Sequence, residues 1–222
     1  MEKLLEEAIE MIQPKMVVSF GGGNTVGRLL KEVAARNLDI IICTPSEVTK
    51  NTCQELGLSV CELSQLDKID LAFDGCDSID TKLNALKSNG GIHTYEKIYA
   101  SLSSRYIILG PKERMKDKLD PDVFLSLEVV EPSIKQVMNL VNSLGGSSKI
   151  RQSSDIAGVV RTRLGNCLID CTFKNWDNIS RINQELSSCN GVVGTSYFSN
   201  LISGALLADG ENVISISADV NN

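Results

Sequence analysis

Three carboxylates follow an apolar run near residue 75. The segment LAFDGCDSID, residues 71–80, places Asp74, Asp77 and Asp80 around a Gly-Cys pair, directly after what reads as a buried strand. Neighbouring carboxylates at a strand end can bind the hydroxyl groups of a polyol, or exchange protons with them when burial or a like charge raises a pKa. Acids and glycine also form turns, so the segment alone is consistent with a solvated turn as well.

A glycine-rich segment, GGGNT at residues 21–25, follows the earlier apolar run MVVSF. Adjacent glycines let backbone N–H groups approach a ligand, and a helix beginning at Asn24 or Thr25 would favour an anion there. A dinucleotide fingerprint needs a small residue where Val26 stands, and a P-loop needs Lys-Ser or Lys-Thr after the glycines. The remaining alternatives are a cradle for a phosphate or carboxylate and an ordinary strand-to-helix turn.

The third candidate segment is KSNGGIHTYEK, residues 87–97. Lys87, before a glycine-containing loop, could hold an oxyanion, and Glu96, on the helix that follows, could act as a general base in a dry pocket. Alone, both are also typical surface charges. His93 is the single histidine of the chain, and a lone histidine at such a place is more often incidental than catalytic.

Apolar runs alternate with helical patterns around these segments, which is typical of βαβ units and a mostly parallel sheet. The apolar runs are MVVSF, DIIIC, LAFD and YIILG, and the helical patterns end near Ile12 or cover 26–36, 46–56 and 92–104. In such sheets ligands bind at the carboxyl ends of the strands. Because GGGNT and DGCD each begin where an apolar run ends, we expect both at that edge.

The pattern changes near Leu127 to a β-α-β-β-α-β order, which is that of a split βαβ, ferredoxin-like module. Its predicted elements are EVVEP, a helix over about 133–144, the strands GVVRTR and CLIDC, a helix near 178–186, and GVVGTSYF. We therefore predict an α/β protein with a mostly parallel Rossmann-like domain (1–126 and 201–222). We also predict a smaller ferredoxin-like α+β domain (127–200).

The charge and the cysteine content limit the classes of molecule that this protein is expected to bind. The 222-residue chain has a net charge of −6 without a basic cluster, which argues against nucleic acid or an anionic membrane surface. No apolar run approaches the roughly 20 residues that span a bilayer, so a cytoplasmic protein is expected. The seven cysteines form no CxxC pair and there is one histidine, which predicts packed, reduced thiols and neither disulfides nor a metal.

In order and separation, these segments resemble the A-type ribose-5-phosphate isomerases. That family carries G-x-G-S-T after its first strand, D-G-A-D-E at a strand end, and K-G-G-G followed by R-E-K on a helix. The counterparts here are GGGNT, DGCDS, KSNGG and YEK. LGNCLID and NGVVGTSYF resemble the later motifs D-N-G-N-x-I-L-D and P-G-V-V-x-x-G-L-F, so the resemblance covers almost the whole chain.

The resemblance implies an isomerase that interconverts ribose 5-phosphate and ribulose 5-phosphate through an enediol(ate), without a cofactor, as a homodimer or homotetramer. Glu96 falls at the general base and Lys87 at the residue that stabilises the oxyanion. Asp74 and Asp77 fall at the aspartates that bind sugar hydroxyls and assist ring opening. The implied substrate-binding positions are Gly22, Gly23, Asn24, Thr25, Gly75, Cys76, Ser88, Asn89, Gly90 and Arg114.

Several positions depart from the family pattern. Asn24 replaces the loop serine, Ser88 and Asn89 replace two glycines, and Arg114 stands where the family often has a substrate-facing lysine. The changed phosphate loop leaves open a relative that isomerises another sugar phosphate. A non-catalytic sugar-phosphate sensor is the alternative from a different class, although a pure binder has no need of a positioned base.

Overall fold

The computed structural model describes residues 1–218, and these form two compact units. Unit 1 comprises Met1–Cys76, Tyr95–Met115 and residues 199–218, and unit 2 comprises Asp77–Thr94 and Lys116–Phe198. The expected boundary at residue 126 therefore differs from the division in the structure. Residues 77–94 join unit 2 because their short strands pair with each other and with Tyr197 and Phe198.

Short strands and helices alternate along the described chain. The helices are α1 (Glu2–Glu10), α2 (Asn24–Ala35), α3 (Glu47–Glu55), α4 (His93–Leu102), α5 (Ile134–Ser143) and α6 (Ile179–Ser187). The strands are β1 (Val17–Phe20), β2 (Ile41–Cys43), β3 (Leu71–Asp74), β4 (Ser78–Asp80), β5 (Ala85–Leu86), β6 (Tyr106–Pro111), β7 (Met115–Lys116), β8 (Leu125–Val129), β9 (Ser147–Ile150), β10 (Cys167–Thr172), β11 (Val192–Thr195), β12 (Tyr197–Phe198), β13 (Gly204–Asp209) and β14 (Asn212–Ser217). None of the helices within residues 1–218 is long and apolar enough to cross a membrane.

A six-stranded sheet with the order β14-β13-β6-β3-β1-β2 forms the centre of unit 1. The strands from β13 to β2 run parallel, and β14 pairs antiparallel with β13 at the edge. This confirms the predicted mostly parallel sheet. Phe20 of β1 is in register with Phe73 of β3, so the residues that follow these two strands emerge side by side at the same sheet edge.

Two helices pack the sheet of unit 1 through apolar residues spaced at helical intervals. The buried positions are Leu4, Leu5, Ala8 and Ile9 on α1, and Val26, Leu29, Leu30 and Val33 on α2. They join Phe20 and Phe73, whose ring centroids are 6.2 Å apart, in one core. Fully burying a leucine contributes about 1.5–3 kcal/mol relative to leaving it exposed, so this core holds the sheet edge firmly.

Unit 2 contains an antiparallel sheet with the order β11-β8-β10-β9, and α5 and α6 complete the predicted β-α-β-β-α-β sequence. Its core includes Val137 and Val141 of α5 and Ile182 and Leu186 of α6. Helix spacing explains this burial, because each pair lies four residues apart and shares one helix face.

One predicted strand of this module was wrong. GVVRTR, residues 158–163, lies in a loop that forms the isolated bridges Gln152↔Val159 and Arg161↔Cys167, and the strand before β10 is instead β9. β9 has the polar sequence SSKI and lies at the edge of the sheet beside β10, and an edge strand of this kind needs few apolar residues. The small sheet β12-β5-β4-β7 was not predicted either, because its strands are two or three residues long.

The cysteines are mostly packed, as predicted. Five are buried and two, Cys61 and Cys189, are partly exposed. Burial raises the pKa of Cys43 and of Cys171 to about 12. Both remain protonated at neutral pH and are therefore poor nucleophiles, because the thiolate is the reactive form.

Candidate active site

The glycine-rich segment connects β1 to α2 in unit 1. β1 ends at Phe20, and α2 begins at Asn24, as the sequence predicted. Gly23 caps the helix with φ +96°, a left-handed backbone conformation that favours glycine. The first N–H groups of a helix have no acceptor within it, and together with the helix dipole they form a site suited to an anion.

The loop is fixed against the end of β3. A Cβ added at Gly21 would lie 2.1 Å from Cγ of Asp74, so only glycine permits this approach. Two threonine hydroxyls hold the backbone from the other side: Thr44 Oγ1 donates to the Phe20 carbonyl at 2.6 Å, and Thr49 Oγ1 donates to the Gly21 carbonyl at 2.7 Å. The glycine-rich segment 21–25, called the anion cradle below, and the Asp74 carboxylate therefore lie side by side in fixed positions.

Asp74 is the last residue of β3 and its side chain is almost fully buried. Its Oδ1 accepts a hydrogen bond from the Gly75 backbone N–H at 2.7 Å, and its Oδ2 accepts one from the Tyr106 hydroxyl at 2.6 Å. A buried carboxylate is costly without such donors. The two donors hold the side chain at the sheet edge in one orientation.

Tyr106 donates a hydrogen bond to Asp74, and the charge of Glu96 also acts on its hydroxyl. Burial raises the pKa of the Tyr106 hydroxyl well above its usual value, and the charges of Asp74 and Glu96 raise it further. Tyr106 therefore stays protonated and acts as a hydrogen-bond donor at any physiological pH. Glu96 lies in the first turn of α4, 6% exposed, where the helix dipole favours a negative side chain.

Arg114 lies in unit 1 in a short 3-10 helix after β6. Its Nη1 donates to the Cys76 carbonyl at 2.5 Å, and the same nitrogen lies 4.0 Å from where a Cβ on Gly75 would stand. Arg114 itself is exposed. The structure thus brings a cation to the DGC segment.

Asp77 lies at the start of unit 2 and binds the loop that follows Lys87. Its Oδ2 accepts from the backbone N–H groups of Ser88 at 2.6 Å and Asn89 at 3.0 Å, and its Oδ1 accepts from Asn89 Nδ2 at 2.7 Å. Three donors on one carboxylate fix the course of the loop. Asn89 thereby supplies a contact that glycine at this position could not make.

Lys87 follows β5 and is 6% exposed. Its backbone N–H donates to the Ser196 carbonyl at 2.9 Å, and its ammonium group lies 5.6 Å from the centroid of the Phe198 ring. Cations are attracted to the face of an aromatic ring at this distance. The side chain is therefore a buried cation on a short, anchored segment, which excludes the alternative of an ordinary surface lysine.

Ser88 departs from the family pattern without crowding the loop. It is fully buried, and its Oγ donates to the Phe124 carbonyl at 2.5 Å and lies 2.8 Å from Ser196 Oγ. Its side chain points into unit 2, so this substitution adds an anchor to the loop. Gly90 is exposed at the loop's far end.

Asp80, the third acid of the opening segment, is a turn residue. Its Oδ1 accepts from the backbone N–H groups of Lys82 and Asn84, each at 2.9 Å. These bonds close the tight turn between β4 and β5. The turn interpretation is therefore right for Asp80, and it does not account for the buried Asp74.

The residues named from the sequence fall into two groups, one in each unit. Unit 1 holds the glycine loop, Asp74 with Gly75 and Cys76, Glu96 and Arg114. Unit 2 holds Asp77, Lys87 and the loop 88–90. Among the residues that the structure describes, no group of three histidine, cysteine or acidic side chains is arranged to hold a metal ion.

Sequence reasoning missed several residues that position these groups. Tyr106 reads as an apolar strand residue, and Thr44 and Thr49 read as loop and helix polar residues, so no local pattern marks them. His93, considered as a catalytic candidate, is fully buried, with Nε2 3.3 Å from the Gly194 carbonyl. This contact is typical of a structural histidine.

Comparison with known proteins finds matches to one protein family, and these matches include residues of both units. Residues 41–212 match the family model of ribose 5-phosphate isomerase A (phosphoriboisomerase A). Ribose-5-phosphate isomerase A of Prochlorococcus marinus (strain NATL1A) is 30% identical over 213 residues, which cover 93% of this chain and 90% of the relative.

Solved structures agree in fold. Ribose 5-phosphate isomerase A from Methanocaldococcus jannaschii superposes with a TM-score of 0.90 at 26% identity, covering 97% of this chain and 96% of that one. A D-ribose-5-phosphate isomerase in complex with phospho-erythronic acid gives a TM-score of 0.92 at 26% identity over 96% of each chain. These matches extend across both units and confirm the resemblance, and the chain therefore belongs to the ribose 5-phosphate isomerase A family.

Proposed function

We propose that this chain is an isomerase that interconverts D-ribose 5-phosphate and D-ribulose 5-phosphate, in the non-oxidative pentose phosphate pathway. The observation that carries the proposal is the buried Glu96 carboxylate, grouped with Tyr106 and Asp74 beside the anion cradle of unit 1. A dry base next to a phosphate-binding loop is what proton transfer on a phosphorylated sugar requires. The named relatives carry the same activity in their names.

In the proposed mechanism, Glu96 removes the proton from C2 of the open-chain aldose and returns it to C1 of the enediol(ate). Lys87 stabilises the negative charge that develops on the sugar oxygen. Asp74 and Asp77 hold sugar hydroxyls and assist ring opening. A carboxylate base and a cation suffice for such an aldose-ketose shift, so the mechanism uses no cofactor or metal.

The phosphate group is proposed to bind at the segment 22–25. The N-terminus of α2 supplies backbone donors and a favourable dipole, and Thr25 adds a hydroxyl. Asn24 lacks the hydroxyl of the family's serine but keeps its backbone N–H and brings a side-chain amide donor. Gly75, Cys76 and Arg114 are proposed to complete the substrate contacts of unit 1, and Ser88, Asn89 and Gly90 those of unit 2.

The proposal is tested by an NMR assay of the purified protein with ribose 5-phosphate in D₂O. We expect ribulose 5-phosphate to form with deuterium incorporated at carbon, because the base exchanges its proton with solvent between the two steps. Phospho-erythronic acid, the ligand of the similar solved isomerase, is expected to inhibit the reaction.

Two other outcomes would change the conclusion. Tight binding of ribose 5-phosphate without conversion by the folded protein would favour the sensor. Conversion of a different aldose phosphate in preference to ribose 5-phosphate would favour the divergent isomerase, for which the changes at Asn24, Ser88 and Asn89 are the motivating observations.

We also propose a homodimer or homotetramer in the cytoplasm, with unit 2 contributing to assembly. Unit 2 carries the exposed apolar side chains Ile156, Leu164 and Val193, which would be covered in an oligomer. Light scattering on the purified protein would give its mass, and a monomer across the working concentration range would contradict this proposal.

Changing Tyr106 to phenylalanine is expected to lower both stability and turnover. The ring is retained, but the buried Asp74 carboxylate loses one of its donors, the hydroxyl at 2.6 Å. A hydrogen bond to a charged group contributes about 1.5–3 kcal/mol, and we expect a loss of stability of this order together with a roughly 10-fold loss of kcat. Urea denaturation and the isomerase assay measure the two effects.

Tyr197→Phe is the matched control. Tyr197 is also buried, and its hydroxyl lies 3.3 Å from Ser180 Oγ, so the control removes a neutral hydrogen bond in unit 2. We expect a smaller change in stability and little change in kcat. Equal effects of the two substitutions on kcat would argue against a role for the Tyr106–Asp74 bond.

A further inference from the structure

Arg151 forms a nearly buried ion pair within unit 2, directly after β9. Its side chain is 15% exposed and that of its partner Asp170 is 5% exposed. Nη2 donates to Asp170 Oδ1 at 2.6 Å and Nε donates to Oδ2 at 3.0 Å. This two-nitrogen contact fixes the plane of the guanidinium group, because the arginine fork matches the geometry of a carboxylate.

The fixed guanidinium reaches the loop that follows Lys87. Nη1 donates to the Asn89 carbonyl at 3.0 Å and Nη2 donates to the Ser88 carbonyl at 2.8 Å. Nη2 also lies 3.1 Å from Ser126 Oγ, and the group stacks 5.3 Å from the centroid of the Phe124 ring. One side chain therefore binds two successive carbonyl groups of the loop. It is itself held by contacts with Asp170, Ser126 and Phe124.

The opposite edge of the same two residues is bound by Asp77. Its carboxylate accepts from the backbone N–H groups of Ser88 and Asn89, while Arg151 binds their carbonyl groups. A cation on the carbonyl side and an anion on the N–H side leave these backbone groups little freedom. The segment that begins at Lys87 is therefore held by charge-assisted hydrogen bonds to both its N–H groups and its carbonyl groups.

Gly91, at the end of this loop, lies against Leu168 and Arg151. A Cβ at Gly91 would lie 3.2 Å from Arg151 Nη1 and 2.6 Å from Leu168 Cδ1, and its φ is +66°. A side chain there would clash with Leu168 and push against the guanidinium group, so glycine is needed where the loop passes these two residues.

We propose that Arg151 is a positioning residue that holds the Lys87 loop in its working geometry. The proposal rests on the proposed function, because it assigns to Arg151 an effect exerted through the Lys87 ammonium group. Ser88 is bonded directly to Lys87 in the chain, so a shift of its carbonyl moves the lysine backbone. Arginine is required because its planar fork contacts the carboxylate and both carbonyls at once, and lysine presents only a point charge.

The test compares Arg151→Lys with wild type by steady-state kinetics. Positive charge is retained, so Asp170 keeps a cationic neighbour, but the two carbonyl contacts cannot both be made. We expect kcat to fall roughly 10-fold or more, because small misplacements of a catalytic group are costly, and KM to rise by no more than in Lys87→Met. Arg181→Lys is the control, since Arg181 is exposed on α6 and pairs with Glu185 four residues on.

A double-mutant cycle separates positioning from a general structural role. If Arg151 acts through Lys87, then adding Arg151→Lys to a Lys87→Met protein produces no further loss of kcat. If the two losses multiply, Arg151 acts independently of Lys87 and the proposal is overturned. Asp170→Asn, which keeps the shape and one acceptor, is the milder second variant if Arg151→Lys does not fold.

Amide hydrogen exchange decides the anchoring step without reference to activity. We expect the N–H groups of Ser88 and Asn89 to exchange faster in Arg151→Lys than in wild type, with the core of unit 2 unchanged. Unchanged exchange at these residues would overturn the proposal even if kcat fell. A wild-type protein that does not isomerise ribose 5-phosphate would refute the proposed function, and the exchange measurement would still decide whether Arg151 anchors the loop.

Discussion

Replacing Glu96 by glutamine is expected to lower turnover of ribose 5-phosphate by about 10²-fold or more, the usual scale for the loss of a general base. Glutamine has the same size and fits the same buried position in the first turn of α4. Its amide cannot accept the proton from C2, so the loss falls on kcat and affinity changes little. Steady-state kinetics and the rate of deuterium incorporation in D₂O measure the effect.

The control for Glu96→Gln is Glu32→Gln on α2. Glu32 lies on the surface beside Arg36, four residues away, with nearly half of its side chain exposed. Removing this charge is expected to leave turnover unchanged. Titration with phospho-erythronic acid checks that the Glu96→Gln protein still binds a sugar-phosphate analogue, and near-normal turnover in that protein would refute the assignment of Glu96 as the base.

The parts of the site that could be predicted from the sequence are those set by local rules. A glycine run between an apolar strand and an amphipathic helix predicts the loop before Asn24, because left-handed backbone and helix capping depend on a few neighbouring residues. Asp74 was predicted at a strand end for the same reason. The parallel order of β1 and β3 then follows from the alternation of strands and helices.

The residues that support the site could not be predicted, because their partners are distant in sequence. Tyr106 donates to Asp74 across 32 residues, and Arg151 reaches the Ser88 carbonyl across 63 residues. Such contacts depend on strand order and register, which no local pattern specifies. β9 was missed because its polar sequence fits an edge strand, whereas the valines of GVVRTR suggested a strand and lie half-exposed in a loop.

Replacing Lys87 by methionine is expected to lower kcat by about 10²-fold or more, the scale found when one donor to a developing oxyanion is removed. Methionine keeps most of the length and the apolar stem, so packing against Phe198 and the backbone bond to Ser196 are retained. What is lost is the positive charge that is proposed to stabilise the sugar oxygen. Because the same charge is proposed to contact the bound sugar, we expect KM to rise as well.

Lys82→Met is the control for Lys87→Met. Lys82 lies in the turn between β4 and β5 of the same unit and is exposed, so it removes an equal charge without touching the loop. If both substitutions lowered kcat equally, the effect would reflect the overall charge of unit 2. A large loss confined to Lys87→Met, with unfolding midpoints close to wild type, would support a cation acting on the transition state at close range, because exposed charges are screened by solvent and salt.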